Sequence, residues 1–450
     1  MNTIKIRLST LLMTIILFMG SCNFINEDVN INPNNPIDVP LNLLLPGVQV
    51  EYAYVLGGDF GRYTTIWMQQ HAGVERQHTG YEVYQVKEND INNAWSTIYA
   101  TILSDSQIII DKAGADSPHY VGVSKVIQAM VLGNLVDLFN DVPWSGALQG
   151  AENLTPAYDN GADLYNTIQT LLDEGITALS ASESLLSPGT NDLVYQGDLT
   201  KWVAAANTLK ARHYLRLGNN AQALNAVANG IASSADDAQL NFGAAAAEAN
   251  PWRQFEEQRG DVVMGGFMLD LMNSIEDPRR AAYATLNDQG VYVGAAAGVP
   301  DNSPAVSRFG PFYGSRDSPI PFVTHVENKF IEAEAELASG NAAVAAEAHN
   351  EAIIASLASF GVSDADFEAA QASEDDATID LTKIITHKYI ALYTQQEPFA
   401  DWRRTGIPDL QPAQGETQIG RRFPYPGDER LYNTSYPGQV TVFERVFWDN

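Results

Sequence analysis

Cysteine is nearly absent from this 450-residue chain; its single copy is Cys22. No disulfide can therefore form within the chain, and no zinc site can be built on thiolates. Basic side chains are also scarce, with 26 Lys and Arg against 55 Asp and Glu, for a net charge of −29 and a pI near 4.4. A surface of that sign repels phosphate backbones, which excludes nucleic acid as a partner. Beyond the first twenty residues no uninterrupted apolar run is long enough for a bilayer span, so no later transmembrane helix is expected. Catalytic signatures are missing too: there is no G-x-S-x-G, P-loop, G-x-G-x-x-G or H-E-x-x-H. Of seven histidines only His71 and His78 lie close together, and their spacing is not that of metal ligands. No metal or cofactor is expected. A glycosidase needs just two suitably spaced acids, a condition that 55 carboxylates make uninformative. Apolar content is not lacking. Hydrophobic residues make up 45% and aromatics 10%, enough for a large core and against intrinsic disorder.

The N-terminus reads as an export signal. Lys5 and Arg7 precede the apolar run Leu11–Met19, and Gly20-Ser21 lead directly into Cys22. Cysteine after a small pair resembles a bacterial lipobox. Residues 1–21 are then a lipoprotein signal peptide and Cys22 the point of lipid attachment. Several acyl chains anchor stably where one alone is marginal. Residues 22–40, rich in Asn and Pro, read as a flexible tether, and 41–450 as one domain.

The apolar spacing along that domain is helical. Val123, Ile127, Met130, Val131, Asn134, Leu135 and Leu138 mark a helix from Tyr120 that Asp141-Val142-Pro143 stops. Asp90–Lys112 predicts a second, with a stripe through Ile91, Trp95, Ile98, Ile102, Ser106 and Ile109. Leu199–Leu217 predicts a third through Trp202, Ala206, Leu209 and His213. Val326, Phe330, Ala333 and Leu337 mark a fourth; Ile384, Lys388, Ala391 and Gln395 mark a fifth. Two of these end alike, at Leu217-Gly218-Asn219 and Ser339-Gly340-Asn341, each followed by an Ala-rich helix (221–231 and 342–357). Helix, Gly-Asn turn and small-residue helix make the unit of tetratricopeptide-like hairpins, here without a regular repeat. The expected fold is mainly α, a hairpin scaffold interrupted by long irregular loops. Those loops are residues 57–89, 290–322 and 406–450, rich in Gly, Pro and aromatics.

A series of motifs in order along the chain resembles the SusD/RagB family of nutrient-binding outer-membrane lipoproteins, in particular its second subgroup. It comprises the Asn/Pro-rich segment Asn30–Pro36, Trp95-Ser96-Thr97-Ile98-Tyr99 and Asp137–Trp144, with Asn140 where Gly is commoner. Asn250-Pro251, Asp277-Pro278-Arg279 and Lys329–Gly340 follow. Lys388–Tyr393 with Trp402–Gly406, then Arg422–Pro426 with Glu429 and Asn433, complete the series. The acidic pair Glu27-Asp28 after Cys22 is similar to a surface-export signal of Bacteroidota lipoproteins. The resemblance implies a lipid-anchored protein on the outer face of the outer membrane, beside a SusC-like TonB-dependent barrel. It implies capture of oligo- or polysaccharide for that transporter, or of oligopeptide in some members, without catalysis. A helical-repeat adaptor that binds only protein and a glycoside hydrolase on the same scaffold are the remaining alternatives.

Sugar rings stack on flat side chains while polar groups take their hydroxyls, so the aromatic loops supply the ligand-binding candidates. These are Trp67, Tyr81 and Tyr84 with His78 in the first loop, and Phe312 and Tyr313 with Arg308, Arg316 and Asp317 in the second. Trp67 lies between Ile66 and Met68, a context equally suited to a core. Arg403 and Arg404 are expected to pair with scaffold carboxylates such as Glu332 or Glu334, and Asp277 and Arg279 to be structural as well.

Overall fold

The computed structural model describes residues 39–449. The signal peptide, Cys22 and most of the tether lie outside the described residues. Nine helices build the frame: α1 Leu41–Val55, α2 Pro118–Phe139, α3 Gly161–Leu179, α4 Leu199–Arg216, α5 Asn220–Val227, α6 His325–Ala338, α7 Ala342–Ser359, α8 Leu381–Ala391 and α9 Glu397–Thr405. Among the described residues six strands of two to four residues form three antiparallel pairs: β1 (His71–Gly73) with β5 (Val262–Met264), β2 (Val142–Pro143) with β3 (Tyr158–Asp159), and β4 (Ala238–Leu240) with β6 (Ile320–Val323). The mainly helical, tetratricopeptide-like reading holds.

The two Gly-Asn turns close identically. Gly218 and Gly340 take φ of 71° and 85°, and the next amide reaches back five residues, Asn219 to Tyr214 and Asn341 to Glu336, at 2.9 Å each. A left-handed residue that lets orphan carbonyls be satisfied is the reason glycine stands there. Side-chain caps start four frame helices: Asn160 for α3, Asp198 for α4, Thr324 for α6 and Asp380 for α8.

Four boundaries differ from the periodicity. The helix expected over 90–112 becomes Glu88–Thr97, a π-helical stretch Ile98–Leu103, and Ser104–Ala113. The wider turn keeps Ile91, Trp95, Ile98, Ile102, Ser106 and Ile109 all buried on one side. Leu217 ends up 42% exposed, because it is already in the cap of α4. Helix α5 stops at Val227 rather than 231, since Gly230 packs against Asn328 and Thr208 where a side chain would clash. Gln395 lies past the end of α8.

Helix α2 also corrects the expectation about membrane spans. At 22 residues and mean hydropathy 1.4 it is long and apolar enough to cross a bilayer, but 89% of that window is buried inside the protein. Ser124, Gln128 and Asn134 interrupt its apolar run, which hid it from a search for uninterrupted hydrophobics. All three are buried, and Asn134 accepts from Tyr52 (2.6 Å) and donates to Gln396 (3.0 Å).

Around α2 runs a chain of buried charges. Arg212 forks onto Glu327 with two bonds of 2.6 Å and lies 3.4 Å from Glu397. Arg216 bridges Glu397 to Asp137, and Asp137 also accepts from Tyr165 and Trp448. Helices α2, α4, α6 and α9 are thereby tied together. A second set joins α8, α9 and α6: Lys388–Asp401 at 2.8 Å, then Arg404 to Asp401 and Glu334. Arg404 thus pairs with Glu334 as expected. Arg403 differs, donating to the carbonyls of Asp137 (2.6 Å) and Arg421 (2.8 Å) while lying over the rings of Phe399 and Trp448. Glu332 pairs with Lys329 instead. Asp277 and Arg279 form a fully buried ion pair, with Ser356 on the guanidinium.

Five histidines are buried: His71, His78, His213, His349 and His387. Burial pushes the first four down to between about 3 and about 4, and His387 well below its ordinary value.

Two predictions follow from this packing. Arg216→Met leaves Asp137 and Glu397 facing each other without their shared cation; it should cost about 3–5 kcal/mol, read from urea midpoints. A loss below about 1 kcal/mol would show that the ion chain does not hold the helices. The second concerns acid. The unfolded chain protonates these histidines near pH 6.5, and the folded chain does so only at much lower pH, so their contribution is intact above 6.5 and is lost as pH falls. Burial raises Glu82 to about 8 and Asp237 to about 7, and lifts Asp105, Glu256 and Glu327 as well; these carboxyls work in the opposite sense and offset part of the effect of the five imidazoles. Urea midpoints should drop between about pH 7 and about pH 5; a flat or rising profile would contradict this balance.

Candidate functional site

The segment 57–89, expected as an open loop, is built into the core. It contains the helix Gly61–Trp67, strand β1 and the short helix His78–Glu82. Trp67 is fully buried; its indole donates to the Tyr81 carbonyl at 3.0 Å, and its ring meets Tyr84, Phe399 and Phe423 edge-on. Tyr81 is buried against Tyr63 (4.6 Å between centroids). The Tyr84 hydroxyl accepts from the Ala413 amide at 2.9 Å. His78 is buried between Tyr81 and Phe255 with Asp261 3.3 Å away; burial lowers it to about 4, Arg62 and Arg259 add to this, and Asp261 opposes it. His71 is likewise committed, to Thr65 (2.9 Å) and the Tyr393 hydroxyl (2.6 Å). As placed, Trp67, Tyr81, Tyr84 and His78 support the wall behind a surface rather than form it. Close approaches at Gly61 and Gly73, which a side chain would block, let these rings pack, and composition alone gives no sign of that.

Glu82 clasps two of the insertions. Its carboxyl accepts from the Gly73 amide (2.7 Å) and the Gly298 amide (3.2 Å), and burial raises it to about 8.

The second loop supplies an accessible site. Phe312 and Tyr313 line a cavity of about 350 Å³ together with Phe360, which follows α7. Phe312 and Phe360 are half-buried and meet edge-on at 4.5 Å; Tyr313 is buried beside Phe312 at 4.9 Å. Behind them Tyr283 and Tyr393 stack at 4.5 Å, and Tyr283 meets Phe360 at 4.8 Å, so the aromatic wall is rigidly backed. Polar groups face the rings from β4 and its surroundings: Asp237, Gln239 and Asn241, with Gln395 beyond α8. Asp237 accepts from the His325 amide at 2.6 Å, and burial, with Asp236 and Glu327 adding, raises it to about 7. An aromatic wall opposite amides and a carboxyl suits a ligand with one apolar face and many hydroxyls.

Arg308, Arg316 and Asp317 do not line this cavity. Arg316 pairs with Glu257 at 3.0 Å, Asp317 accepts from Ser315 at 2.8 Å, and Arg308 holds the Gly260 carbonyl at 3.2 Å. A wider depression of about 560 Å³ beside Tyr84 is lined by Lys87 and by Arg430, which pairs with Glu88 at 2.8 Å. It offers no aromatic platform, since Tyr84 is buried. Phe360, Asp237, Gln239, Asn241 and Gln395 escaped the sequence reading because they lie on three separate segments, none of them in the aromatic loops. The aromatic Phe360-Gly361 after an Ala-rich helix was the only local signal.

Residues 33–426 match the SusD-like family, second group, described as starch-binding and associating with the outer membrane. The chain belongs to the SusD-like family. Solved structures similar to this SusD-like protein include a chitin-binding protein (24% identity, TM-score 0.79, covering 91% of this chain and 100% of that one). A chitin-binding SusD homologue from Flavobacterium johnsoniae gives 24% identity and TM-score 0.77 over 90% of this chain and 97% of its own. A SusD/RagB family protein from Bacteroides thetaiotaomicron gives 22% and 0.77 over 92% and 99%. At these identities the likeness establishes the fold. No curated protein matches the chain.

Motif residues of this SusD-like chain are tied to one another and to neighbouring turns. Glu429 accepts from Trp95 (3.3 Å), Tyr158 (2.7 Å) and Asn433 (2.9 Å), while Tyr99 donates to the Pro143 carbonyl at 2.8 Å. Asn140 takes φ of 72°, which accounts for a position where glycine is commoner. If Tyr84 serves the wall rather than the ligand, Tyr84→Phe should cost about 1 kcal/mol of stability through the lost Ala413 bond and leave glycan affinity unaltered. Paired denaturation and calorimetry measure both, and a selective loss of affinity would return Tyr84 to the ligand surface.

Proposed function

We propose that this protein is a non-catalytic capture protein for oligo- or polysaccharide. In this reading acyl chains on Cys22 hold it at the outer face of the outer membrane, and it passes its cargo to a SusC-like, TonB-dependent barrel. The observation that supports the reading is the cavity walled by Phe312, Tyr313 and Phe360 and rimmed by amides. The family's starch-binding description and the chitin-binding neighbours point to the same class of ligand.

The energetics are adequate. A millimolar to micromolar site needs about 4–8 kcal/mol. Two stacked rings at about 1–3 kcal/mol each, by analogy with bases on aromatics, supply most of it. Hydrogen bonds from Gln239, Asn241 and Gln395, at about 0.5–1.5 kcal/mol each, supply the rest.

Calorimetry with maltooligosaccharides and chitooligosaccharides should show saturable binding without release of new reducing ends. Phe312→Ala and Phe360→Ala should each weaken it about 5–100-fold. Because Phe360 also packs on Tyr283, its melting temperature is measured alongside, and Phe312→Ala provides the independent readout. Glycan turnover, or binding of oligopeptides in place of sugars, would overturn the proposal. Co-purification with a barrel from detergent-solubilised membranes checks the delivery step.

A further inference from the structure

Three arginines converge on one turn, 259–261, outside the aromatic cavity. Gly260 takes φ of 62°, and the carbonyls on either side of it receive guanidiniums. Arg76 donates to the Arg259 carbonyl at 3.2 Å and Arg308 to the Gly260 carbonyl at 3.2 Å. The side chain of Arg259 turns back to Asp261 (2.9 Å) and Gln77 (2.7 Å). These arginines come from three distant segments: the first insertion, the segment before β5, and the second insertion.

Their charges are only partly answered. Asp261 serves both Arg76 and Arg259, and its carboxylate is fully buried beneath them. Glu75 stands 3.9 Å from Arg76 and also accepts from Asn302. Arg308 forms no ion pair among the described residues; its other contacts are to Asn302. Glu256 is near Arg308; burial raises its carboxyl, while the charges of Arg308 and Arg253 oppose that rise. Meanwhile the side chains of Arg76 and Arg259 remain 52% and 34% exposed. Arg76 Nε and Nη2, Arg259 Nη1 and Arg308 Nε have no acceptor among the described residues. In a chain with twice as many acids as bases, three arginines here meet three carboxylates, so the general excess of acid is locally absent. Forked donors held by main-chain carbonyls are pre-set for an oxyanion.

We propose that Arg76, Arg259 and Arg308 form a subsite for an anionic substituent on the captured glycan, the carboxylate of a uronic acid or a sulfate ester. The inference rests on the glycan-capture reading and narrows its cargo to acidic sugars. The aromatic cavity takes ring faces; the arginine turn takes the charge.

Calorimetry compares a galacturonate oligomer, its methyl ester, a sulfated galactan oligomer and a neutral maltooligosaccharide on the full chain. At least one acidic oligomer should bind about tenfold or more tighter than the methyl ester. That advantage should shrink as NaCl rises from about 50 to about 500 mM. The acidic oligomer preferred, galacturonate or sulfated, names the substituent. The double variant Arg76→Gln/Arg308→Gln should lose the advantage, its melting temperature being measured alongside because Arg76 also pairs with buried Asp261, and Arg308→Lys should retain part of it. Equal affinity for acid and ester, or a well-folded double variant that keeps the preference, overturns the inference. If the double variant melts early, the ester comparison and salt dependence of the unaltered chain decide alone. Neutral sugar bound without acidic preference defeats only this subsite. Failure of every sugar defeats the capture reading with it. A poly-glutamate peptide that binds as tightly as the acidic oligomer also overturns the assignment to sugars.

Discussion

The chain of buried charges from Glu327 through Arg212, Glu397 and Arg216 to Asp137 sets the geometry on which everything else depends. Four helices meet there, and no disulfide is available to hold them. Ion pairs of this kind add little net stability, because desolvation offsets most of the attraction. Their effect is to penalise every arrangement in which one charge is left without its partner. Burial pushes Glu397 toward protonation, but Arg212 and Arg216 outweigh it and hold the carboxylate ionised. Helices α2, α4, α6 and α9 can therefore pack in one register, and the insertions are placed by that register.

The insertions are then drawn inward. Glu82 joins the first to the second, Tyr84 joins the first to the C-terminal segment through Ala413, and Gly420 lies against the Trp67 ring. What composition presents as three loose loops is one interlocked layer over the helices. The aromatic residues inside that layer stiffen it, and few of them reach solvent. Phe312 and Phe360 are among those that do, and the cavity is where the layer leaves a gap against the frame.

Legibility followed the range of the interactions. Helices α4, α6 and α8, the two Gly-Asn turns and the pairing of Arg404 with a carboxylate of α6 were readable, because each depends on residues within a few turns or on a single partner type. The motif residues were readable for the same reason, and they serve packing: Trp95 and Asn433 bond to Glu429, Tyr99 lies against the Trp95 ring, and none of the four lines the cavity. The first insertion was misread, since glycine among aromatics signals a loop equally well as a close-packed core. Phe312 and Tyr313 were found in the second insertion, but Phe360, Asp237 and Gln395 were not. Only the fold brings residues 237, 312, 360 and 395 to one place, and no local pattern encodes that meeting. The arginine turn is a further case, assembled from positions 76, 259 and 308.

The cavity has two walls of different origin. Phe360 and Gln395 follow the frame helices α7 and α8 and Asp237 precedes β4, whereas Phe312 and Tyr313 ride on an insertion. Changes to the insertion can reshape one wall while the other stays fixed, because no frame helix has to move. A binding surface divided in this way keeps a constant half against which new loop sequences can be tried. Change of cargo is thereby uncoupled from the folding of the scaffold.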